Sequence, residues 1–431
     1  MTGRDRATFR SLQNRNFKLY MSGQLVSVTG FAMQQVAQSW LVLRLTDSGL
    51  ALGVTFALQF LPMMLFGFWG GLLADRLDKR KLLIATQTAQ AALALALWAL
   101  VATDVVTLWM VYVLAFLFGV ATCLDLPTRQ SFTIEMVGPE HLANAVGLNS
   151  AVFNSGRLLG PAVAGVLIAW VGVGVCFLVN GLTYFATIGA LLAMRTADLH
   201  RQQGARREKG QIREGLRYAW GHPVLRSTLL LITVIGTFGF NFVVVMPLLA
   251  RETFGGGARL FGALSSLMGF GSLLGALAAA RRAAPSRRVL IGGAAAFGLS
   301  ACAVALAPNA AVAGALVVLM GLSMMIFLAT ANSTLQLTAA PNMRGRVMAL
   351  YGLVFLGSTP VGGPIVGYVS EELNARAGLA LGGLASLAAA AAAAVPILRQ
   401  RRRAALERGA APPIEPALGG GLTPGDPVEA A

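Results

Sequence analysis

The chain has 431 residues, of which 56% are hydrophobic and 12% charged, and its mean hydropathy is +0.68. No soluble core can bury that much apolar surface, so the composition excludes an ordinary soluble protein. The net charge of +16 comes from basic residues in short segments between apolar runs. If the connections alternate between two faces, most of these residues fall on one face. This asymmetry indicates a basic cytoplasmic surface and no nucleic-acid partner, and it places both termini in the cytoplasm.

Apolar runs of about 20 residues, long enough to cross a bilayer, recur along the chain. They predict an all-α integral membrane protein with twelve transmembrane helices. Six predicted helices lie in the first half, at 17–43, 49–74, 82–103, 105–125, 143–170 and 172–194. Six more, numbered 7 to 12, lie at 226–250, 259–280, 289–307, 311–336, 347–369 and 377–398. The charged N-terminal segment lacks the pattern of a signal peptide, so helix 1 is expected to be retained.

The two halves repeat one glycine and proline pattern. Gly160-Pro161 in predicted helix 5 is matched by Gly363-Pro364 in predicted helix 11. Transporters are commonly built from such repeats, so we expect two pseudo-symmetric six-helix bundles. The predicted division is a cytoplasmic tail at 1–16, bundles at 17–194 and 226–398, a cytoplasmic linker at 195–225 and a disordered tail at 399–431. The linker should carry an amphipathic helix near 212–220.

A glycine, an acid and a basic cluster follow one another where predicted helix 2 meets the cytoplasm. Gly71 would let helix 2 approach a neighbour, and Asp75 would lie at the positive N-terminal end of helix 11. Lys79 or Arg76 would pair with Asp125 at the end of helix 4. Such contacts require a closed cytoplasmic side, so they predict a gate; a plain positive-inside loop explains only the basic residues. The predicted gate consists of Gly71, Asp75, Arg76, Lys79, Arg80 and Asp125.

Small residues and a proline share one stretch of predicted helix 5. Gly156 and Gly160 are four residues apart, Pro161 follows, and Gly165 comes four residues later. Small residues at this spacing let helix backbones touch, and a proline bends the helix. The stretch therefore predicts a tight but bendable contact, although small-residue packing also occurs in other membrane bundles.

The sequence from Gly71 to Lys81 resembles the signature of the major facilitator superfamily, in which a glycine precedes Asp-Arg and a basic cluster. Asp78 stands where that signature usually has glycine. The stretch around Gly160-Pro161 resembles the antiporter motif of the same superfamily. The pattern over residues 10–400 is most similar to the transmembrane secretion effectors, which include macrolide-efflux and enterobactin-export proteins. This resemblance implies export by proton antiport, with the proton gradient as the energy source and no other cofactor.

Predicted helix 1 carries a polar face. Amide side chains inside a membrane must face the protein interior or water. They therefore line a substrate cavity or form hydrogen bonds between helices, and the sequence leaves both roles open. The candidates are Gln24, Phe31, Gln34, Gln35 and Gln38.

Arg157 is the one charge deep inside a predicted span. An intramembrane arginine is costly unless it is paired or hydrated, so it is a candidate for binding an anionic substrate. Bonding to carbonyl groups freed by Pro161 is the structural alternative. Ser150 and Asn154 share its helix face, and weaker polar candidates are Asn241 and Asn332.

Carboxylates are absent from the middle of the predicted spans, since every Asp and Glu lies at a predicted helix end, in a loop or in a tail. The nearest proton-binding options are Asp75 and Asp125, followed by Glu135. No cluster of residues suggests an enzyme active site or a metal site.

These observations predict a monomeric multi-pass protein of the inner or plasma membrane. Its expected function is the export of a small hydrophobic or amphipathic molecule, such as a drug or siderophore, by alternating access. Two alternatives stay open: a membrane sensor or scaffold of the same fold that does not transport, and an uptake carrier.

Overall fold

The computed structural model describes residues 10–200, 211–282 and 285–409, except for the side chains of Phe68, Asp75, Gln211, Ile212 and 396–409. These residues form α-helices joined by short turns. In the first half the helices are α1 Arg15–Thr46, α2 Gly49–Arg76, α3 Lys79–Ala102, α4 Leu108–Trp170 and α5 Gly174–Leu192. From the linker onward they are α6 Gln211–Gly221, α7 Pro223–Val234, α8 Phe242–Leu248, α9 Ala258–Ala280, α10 Arg287–Ala305, α11 Ala310–Thr338, α12 Arg344–Gly357, α13 Thr359–Glu372 and α14 Ala375–Gly409.

Ten helical segments of the described chain are long and apolar enough to cross a membrane. Helix α1 is not among them, because its four glutamines lower its hydropathy. Helix α4 counts as one segment although its 63 residues are about three times the length that a span requires.

Predicted helices 4 and 5 are the two arms of α4, which meet at Gly138. The backbone of Gly138 has φ 72° and ψ 171°, a conformation that favours glycine, and Pro139 starts the second arm. The first arm continues beyond the predicted end at residue 125 and includes Arg129 and Glu135. Both charged side chains are paired with an opposite charge inside the protein, so they do not end the helix as the sequence suggested.

Two other predicted helices contain breaks. Predicted helix 7 consists of α7 and α8, which are separated by a π-helical turn at Ile235–Gly239 and by Phe240 and Asn241. A second π-helical turn, Leu249–Thr253, follows α8. Predicted helix 11 consists of α12 and α13, which meet at Ser358, and Pro360 lies in the first turn of α13.

The linker and the last helix can be compared with the predicted domain boundaries. The amphipathic linker helix is present as α6, Gln211–Gly221. Helix α14 continues to Gly409, beyond the boundary predicted at residue 398, because the arginine, alanine and leucine residues that follow are good helix formers. The predicted disorder of residues 410–431 and the N-terminal segment before residue 10 lie outside the described residues.

Close backbone contacts join the two halves at the end of the bundle that carries the turn between α1 and α2. There Gly49 and Gly53 of α2 face Gly367 and Gly363 of α13. The second arm of α4 meets α9 in the same way, and a Cβ atom at Gly165 would lie 3.1 Å from the Cα of Gly262. The matching glycine-proline stretches thus make equivalent contacts across the two halves, and we call these contacts the glycine seal.

Candidate transport site

The gate predicted from the Gly71 motif is paired differently in the structure. Lys79 binds Glu135 at 2.6 Å, and each side chain is 9% exposed. Asp125 instead pairs with Arg129, one turn further along the same arm of α4. The predicted pair of Asp125 with Lys79 or Arg76 is therefore wrong: Glu135 already occupies Lys79, and Arg76 is exposed.

Other members of that motif fix the turn between α2 and α3. Asp78, which replaces the usual glycine, caps α3 by accepting a hydrogen bond from the Lys81 backbone N–H at 3.0 Å. Arg80 donates to the carbonyl of Leu191 at 2.6 Å, at the negative end of α5. Gly71 is buried, and the neighbouring Gly70 packs against the backbone of Cys123 in α4. The predicted role of the Asp75 side chain lies outside the described residues.

Asp125 belongs to a buried polar group that the hydropathy pattern did not reveal. Its carboxylate accepts hydrogen bonds from Thr86 at 2.8 Å and from Gln87 at 2.9 Å. Asp125 is 5% exposed and lies well before the break at Gly138. The prediction that it lies at a helix end is therefore wrong. The spacing i, i+4 of Asp125 and Arg129 is the signal for this pair in the sequence, but it applies only if the helix continues past residue 125.

The small residues of predicted helix 5 face two neighbouring helices. A Cβ atom at Gly160 would lie 2.6 Å from the Cβ of Ala32 in α1, and one at Gly156 would lie 2.6 Å from Val28. On another side Pro161 and Gly165 meet α9, where a Cβ atom at Gly262 would lie 2.5 Å from the carbonyl oxygen of Pro161. The stretch therefore forms a contact within the first half and a contact between the halves.

Arg157 lies between these two contact faces. The opposite side of the arm exposes large apolar side chains, including Leu159 at 50% and Val163 at 44%, as expected of a surface that faces lipid. Arg157 is exposed and has no hydrogen-bond or ion-pair partner within the described part of the chain. Its backbone carbonyl packs on Gly269, halfway along α9. The side chain therefore enters the space between the halves, near mid-membrane depth.

Most of the polar face of α1 points into the first half. Gln34 accepts a hydrogen bond from Asn180 of α5 at 2.5 Å, and Gln38 donates to Gln59 of α2 at 3.2 Å. Phe31 stacks on Phe118 of α4, with ring centroids 5.8 Å apart. In this structure these residues form contacts between helices, which is one of the two roles that the sequence leaves open for them.

Gln24 and Gln35 differ from the other glutamines of α1. Gln24 is 1% exposed, and neither of its amide atoms has a partner among the described residues. Gln35 is half-buried, one turn before Ser39, which donates to the carbonyl of Val243 in α8 at 3.0 Å. Gln35 therefore lies on the side of α1 that faces the second half.

The remaining polar candidates bond mainly to nearby groups. Ser150 and Asn154 donate to carbonyls one turn earlier in their own helix, both at 2.9 Å. Asn241 donates to the carbonyl of Thr237 at 2.7 Å, and its own side-chain oxygen is buried without a partner in the described structure. Asn332 accepts from Gln336 one turn along α11.

Polar contacts reinforce the glycine seal. Glu371 of α13 accepts hydrogen bonds from the Ser48 hydroxyl at 2.5 Å and from the Leu50 backbone N–H at 2.9 Å. Arg251 binds Asp47 at 2.6 Å and donates to the Leu43 carbonyl at 3.0 Å. Both contacts tie the turn between α1 and α2 to the second half.

Sequence comparison identifies the family. The model of the transmembrane secretion effector family matches residues 6–418. The chain belongs to this family. It is a multi-pass transporter of the major facilitator type in the cell membrane, and it is not an enzyme. Its substrate is a small molecule.

Similar proteins include two named efflux proteins and a named siderophore transporter. Macrolide efflux protein A of Streptococcus pyogenes is 25% identical over 81% of this chain and 88% of its own length. The multidrug efflux pump Tap of Mycolicibacterium fortuitum is 26% identical over 83% of this chain and 90% of its own. The staphyloferrin A transporter of Staphylococcus aureus is 23% identical over 60% of this chain, and the match spans 66% of that relative.

Solved structures share the fold. A bacterial homologue of the human lysosomal transporter Spinster, in an inward-facing conformation, matches with a TM-score of 0.64 at 14% identity, over 87% of this chain and 95% of that one. A POT family transporter in complex with 5-aminolevulinic acid matches with a TM-score of 0.72 at 11% identity, over 89% and 96% of the two chains. At these identities the likeness establishes the major facilitator fold alone.

Proposed function

We propose that the protein is a secondary exporter of a small hydrophobic or amphipathic molecule, works by alternating access and is driven by proton antiport. The relatives named as a macrolide efflux protein and a multidrug efflux pump support export, and the relative named as a staphyloferrin A transporter supports a siderophore as one substrate class. One chain supplies both halves of the transport path, so the proposed working unit is a monomer. A drug or a siderophore is the proposed substrate class.

The proposed topology has twelve spans and cytoplasmic termini. Twelve spans result when α1 and the two arms of α4 are each counted as membrane-crossing. The basic connections then lie in the cytoplasm, and the glycine seal lies on the outer side. With its outer side closed, this conformation would take up substrate from the cytoplasm, as an exporter requires.

Arg157 is the observation that carries the proposal. Its side chain enters the space between the halves and has no partner within the described residues. A guanidinium group without a protein partner attracts an anionic or phenolate oxygen through charge-assisted hydrogen bonds. We therefore assign Arg157 to substrate binding, with Gln35 of α1 as a neighbouring contact on the same space.

The test measures the export of a compound panel by cells that express the protein, including a macrolide, staphyloferrin A and fluorescent dyes of both charge signs. In Arg157→Gln the half-saturating concentration of an anionic substrate should rise about tenfold or more, since a hydrogen bond to a charge contributes roughly 1.5–3 kcal/mol. Arg157→Lys should retain part of the activity. Arg226→Gln, a change of an exposed arginine at the start of α7, is the matched control.

Each other result changes the proposal in a defined way. Equal export by the wild type and Arg157→Gln for every compound would remove Arg157 from the site. Movement into the cell alone would replace export by uptake, and no movement of any compound would favour a sensor. In proteoliposomes with an imposed pH gradient, transport that ignores the gradient would exclude proton antiport.

A further inference from the structure

A buried ion pair lies inside the first half, away from the space that Arg157 enters. Asp125 and Arg129, both in the first arm of α4, are bonded to each other, and their side chains are 6% and 14% exposed. Helix α3 contributes Thr86 and Gln87 to the Asp125 carboxylate. An ion pair removed from water is seldom a gain in stability over apolar packing, so its presence calls for another explanation.

Titratable groups from two other helices lie near this pair. Tyr20 of α1 and Tyr184 of α5 lie within electrostatic range of both Arg129 and Asp125. Helix α2 approaches the same arm at Gly70, which packs against Cys123. The Lys79–Glu135 pair lies nearer the Gly138 end of the arm.

Several atoms around the pair are buried without a hydrogen-bond partner in the described structure. They are the side-chain oxygen of Gln87, both amide atoms of Gln24 and the hydroxyl of Thr187. These three residues are at most 1% exposed. Gln24 lies one turn after Tyr20 in α1, and Thr187 lies one turn after Tyr184 in α5.

The two helices touch between these turns, since a Cβ atom at Gly23 would lie 3.0 Å from the Cα of Thr187. The unpartnered atoms of Gln24 and Thr187 therefore lie at one level of the bundle, beside the tyrosines that face Arg129. Buried polar groups are almost always satisfied, and where protein groups do not satisfy them an ordered water usually does.

The polar contacts continue through the first half toward the glycine seal. Tyr184 interacts with Asn180, and Asn180 donates to Gln34 at 2.5 Å. One turn further along α1, Gln38 bonds to Gln59 at 3.2 Å. Polar side chains thus follow one another inside the first half without entering the space between the halves.

We propose that this cluster encloses buried water and is the site where the coupling proton binds, on the carboxylate of Asp125. This inference rests on the proton antiport proposed above and assigns it a location. The incoming proton forms an O–H bond on Asp125, which becomes neutral. Arg129 keeps its positive charge and turns to the water and the tyrosine hydroxyls. Coupling then occurs inside the first half, and substrate binds separately at Arg157.

Radiolytic hydroxyl labelling tests the water, because radicals formed from bound water modify the side chains beside it. The full-length protein in lipid nanodiscs is irradiated, and modified residues are identified by mass spectrometry. Tyr20 and Tyr184 should be labelled like Trp220 of the linker helix α6, which is 51% exposed, and unlike Phe327, which is 0% exposed. If both tyrosines are as unreactive as Phe327, the site is dry and the inference is overturned, whatever the protein transports.

A proton-flux measurement tests the role of Asp125. The assay uses proteoliposomes loaded with a pH-sensitive dye and a panel compound that the wild type exports. The rate of proton movement that accompanies transport of this compound should be at least tenfold lower in Asp125→Asn than in the wild type. Exchange of that compound without a pH gradient should persist. Glu140→Gln, which changes an exposed carboxylate of α4, is the control.

The outcomes separate this inference from the proposed function. Equal loss of proton movement and of exchange in Asp125→Asn would show a structural pair and overturn the proton site. A wild type that moves its substrate without protons would disprove antiport and, with it, the coupling role of Asp125. The labelling result would then show, independently of transport, whether the cluster encloses water.

Discussion

Among the described residues of the first half, the buried charges are neutralised by charged partners. Lys79 and Glu135 are both 9% exposed and bond at 2.6 Å, while Asp125 and Arg129 form the second pair on the same arm of α4. Removing one member of a buried pair leaves an uncompensated charge, which is much more harmful than removing both. The Lys79–Glu135 pair is therefore sensitive to single substitutions.

Glu135→Gln should lower the free energy of unfolding by about 3–5 kcal/mol, because Lys79 would lose its charge partner in a buried place. The double variant Lys79→Met, Glu135→Leu should recover most of this loss. Thermal unfolding of the purified protein in detergent measures both. Arg76→Ala, at an exposed position, should change stability by no more than about 0.5 kcal/mol. A double variant as unstable as the single one would contradict the paired role.

At the scale of helices, glycine sets how closely the halves approach. A Cβ atom at Gly367 would lie 2.9 Å from the carbonyl carbon of Gly49 and 3.2 Å from the Cα of Leu50. These are backbone atoms, so relief requires a shift of α2 or α13. The glycine seal therefore depends on the absence of side chains at a few positions.

Gly367→Ala should separate α2 from α13, lower stability by roughly 1–3 kcal/mol and reduce export. Gly352→Ala is a matched control, since a Cβ atom at Gly352 has open space around it. Export by cells and thermal unfolding of the purified variants measure the two effects. Export by Gly367→Ala equal to that of Gly352→Ala would show that the seal tolerates a methyl group.

At the scale of the molecule, alternating access requires the glycine seal to open. The polar contacts of Glu371 with Ser48 and of Arg251 with Asp47 cross the boundary between the halves. Both are accessible at the protein surface, where exposed ion pairs contribute little, about 0–1 kcal/mol. These contacts are therefore weak enough to break in every transport cycle.

Holding this boundary closed should stop transport. A variant with Ser48→Cys and Glu371→Cys, treated with a short reducible thiol cross-linker, should lose export and regain it after reduction. The two single-cysteine variants, treated in the same way, should continue to export. Undiminished export by the cross-linked double variant would mean that the halves do not separate here.

How much the sequence predicts depends on whether a signal is local. The apolar runs, the charge asymmetry and the Gly71 motif led to the family, and the spacing of Gly156, Gly160 and Gly165 predicted close packing. The linker helix was likewise visible as amphipathic periodicity. These features persist because hydropathy and small-residue spacing act within one helix.

Partner choice was not predictable from the sequence. Lys79 pairs with Glu135 and not with Asp125, and the first arm of α4 continues through charges that resemble a loop. Gln34 and Gln38 point into the first half, whereas Arg157 enters the space between the halves. The sequence by itself determined that the chain is built from apolar, membrane-spanning helices and which family it belongs to. Only the tertiary structure decided which polar groups meet, because burial makes a charge depend on neighbours that lie far along the chain.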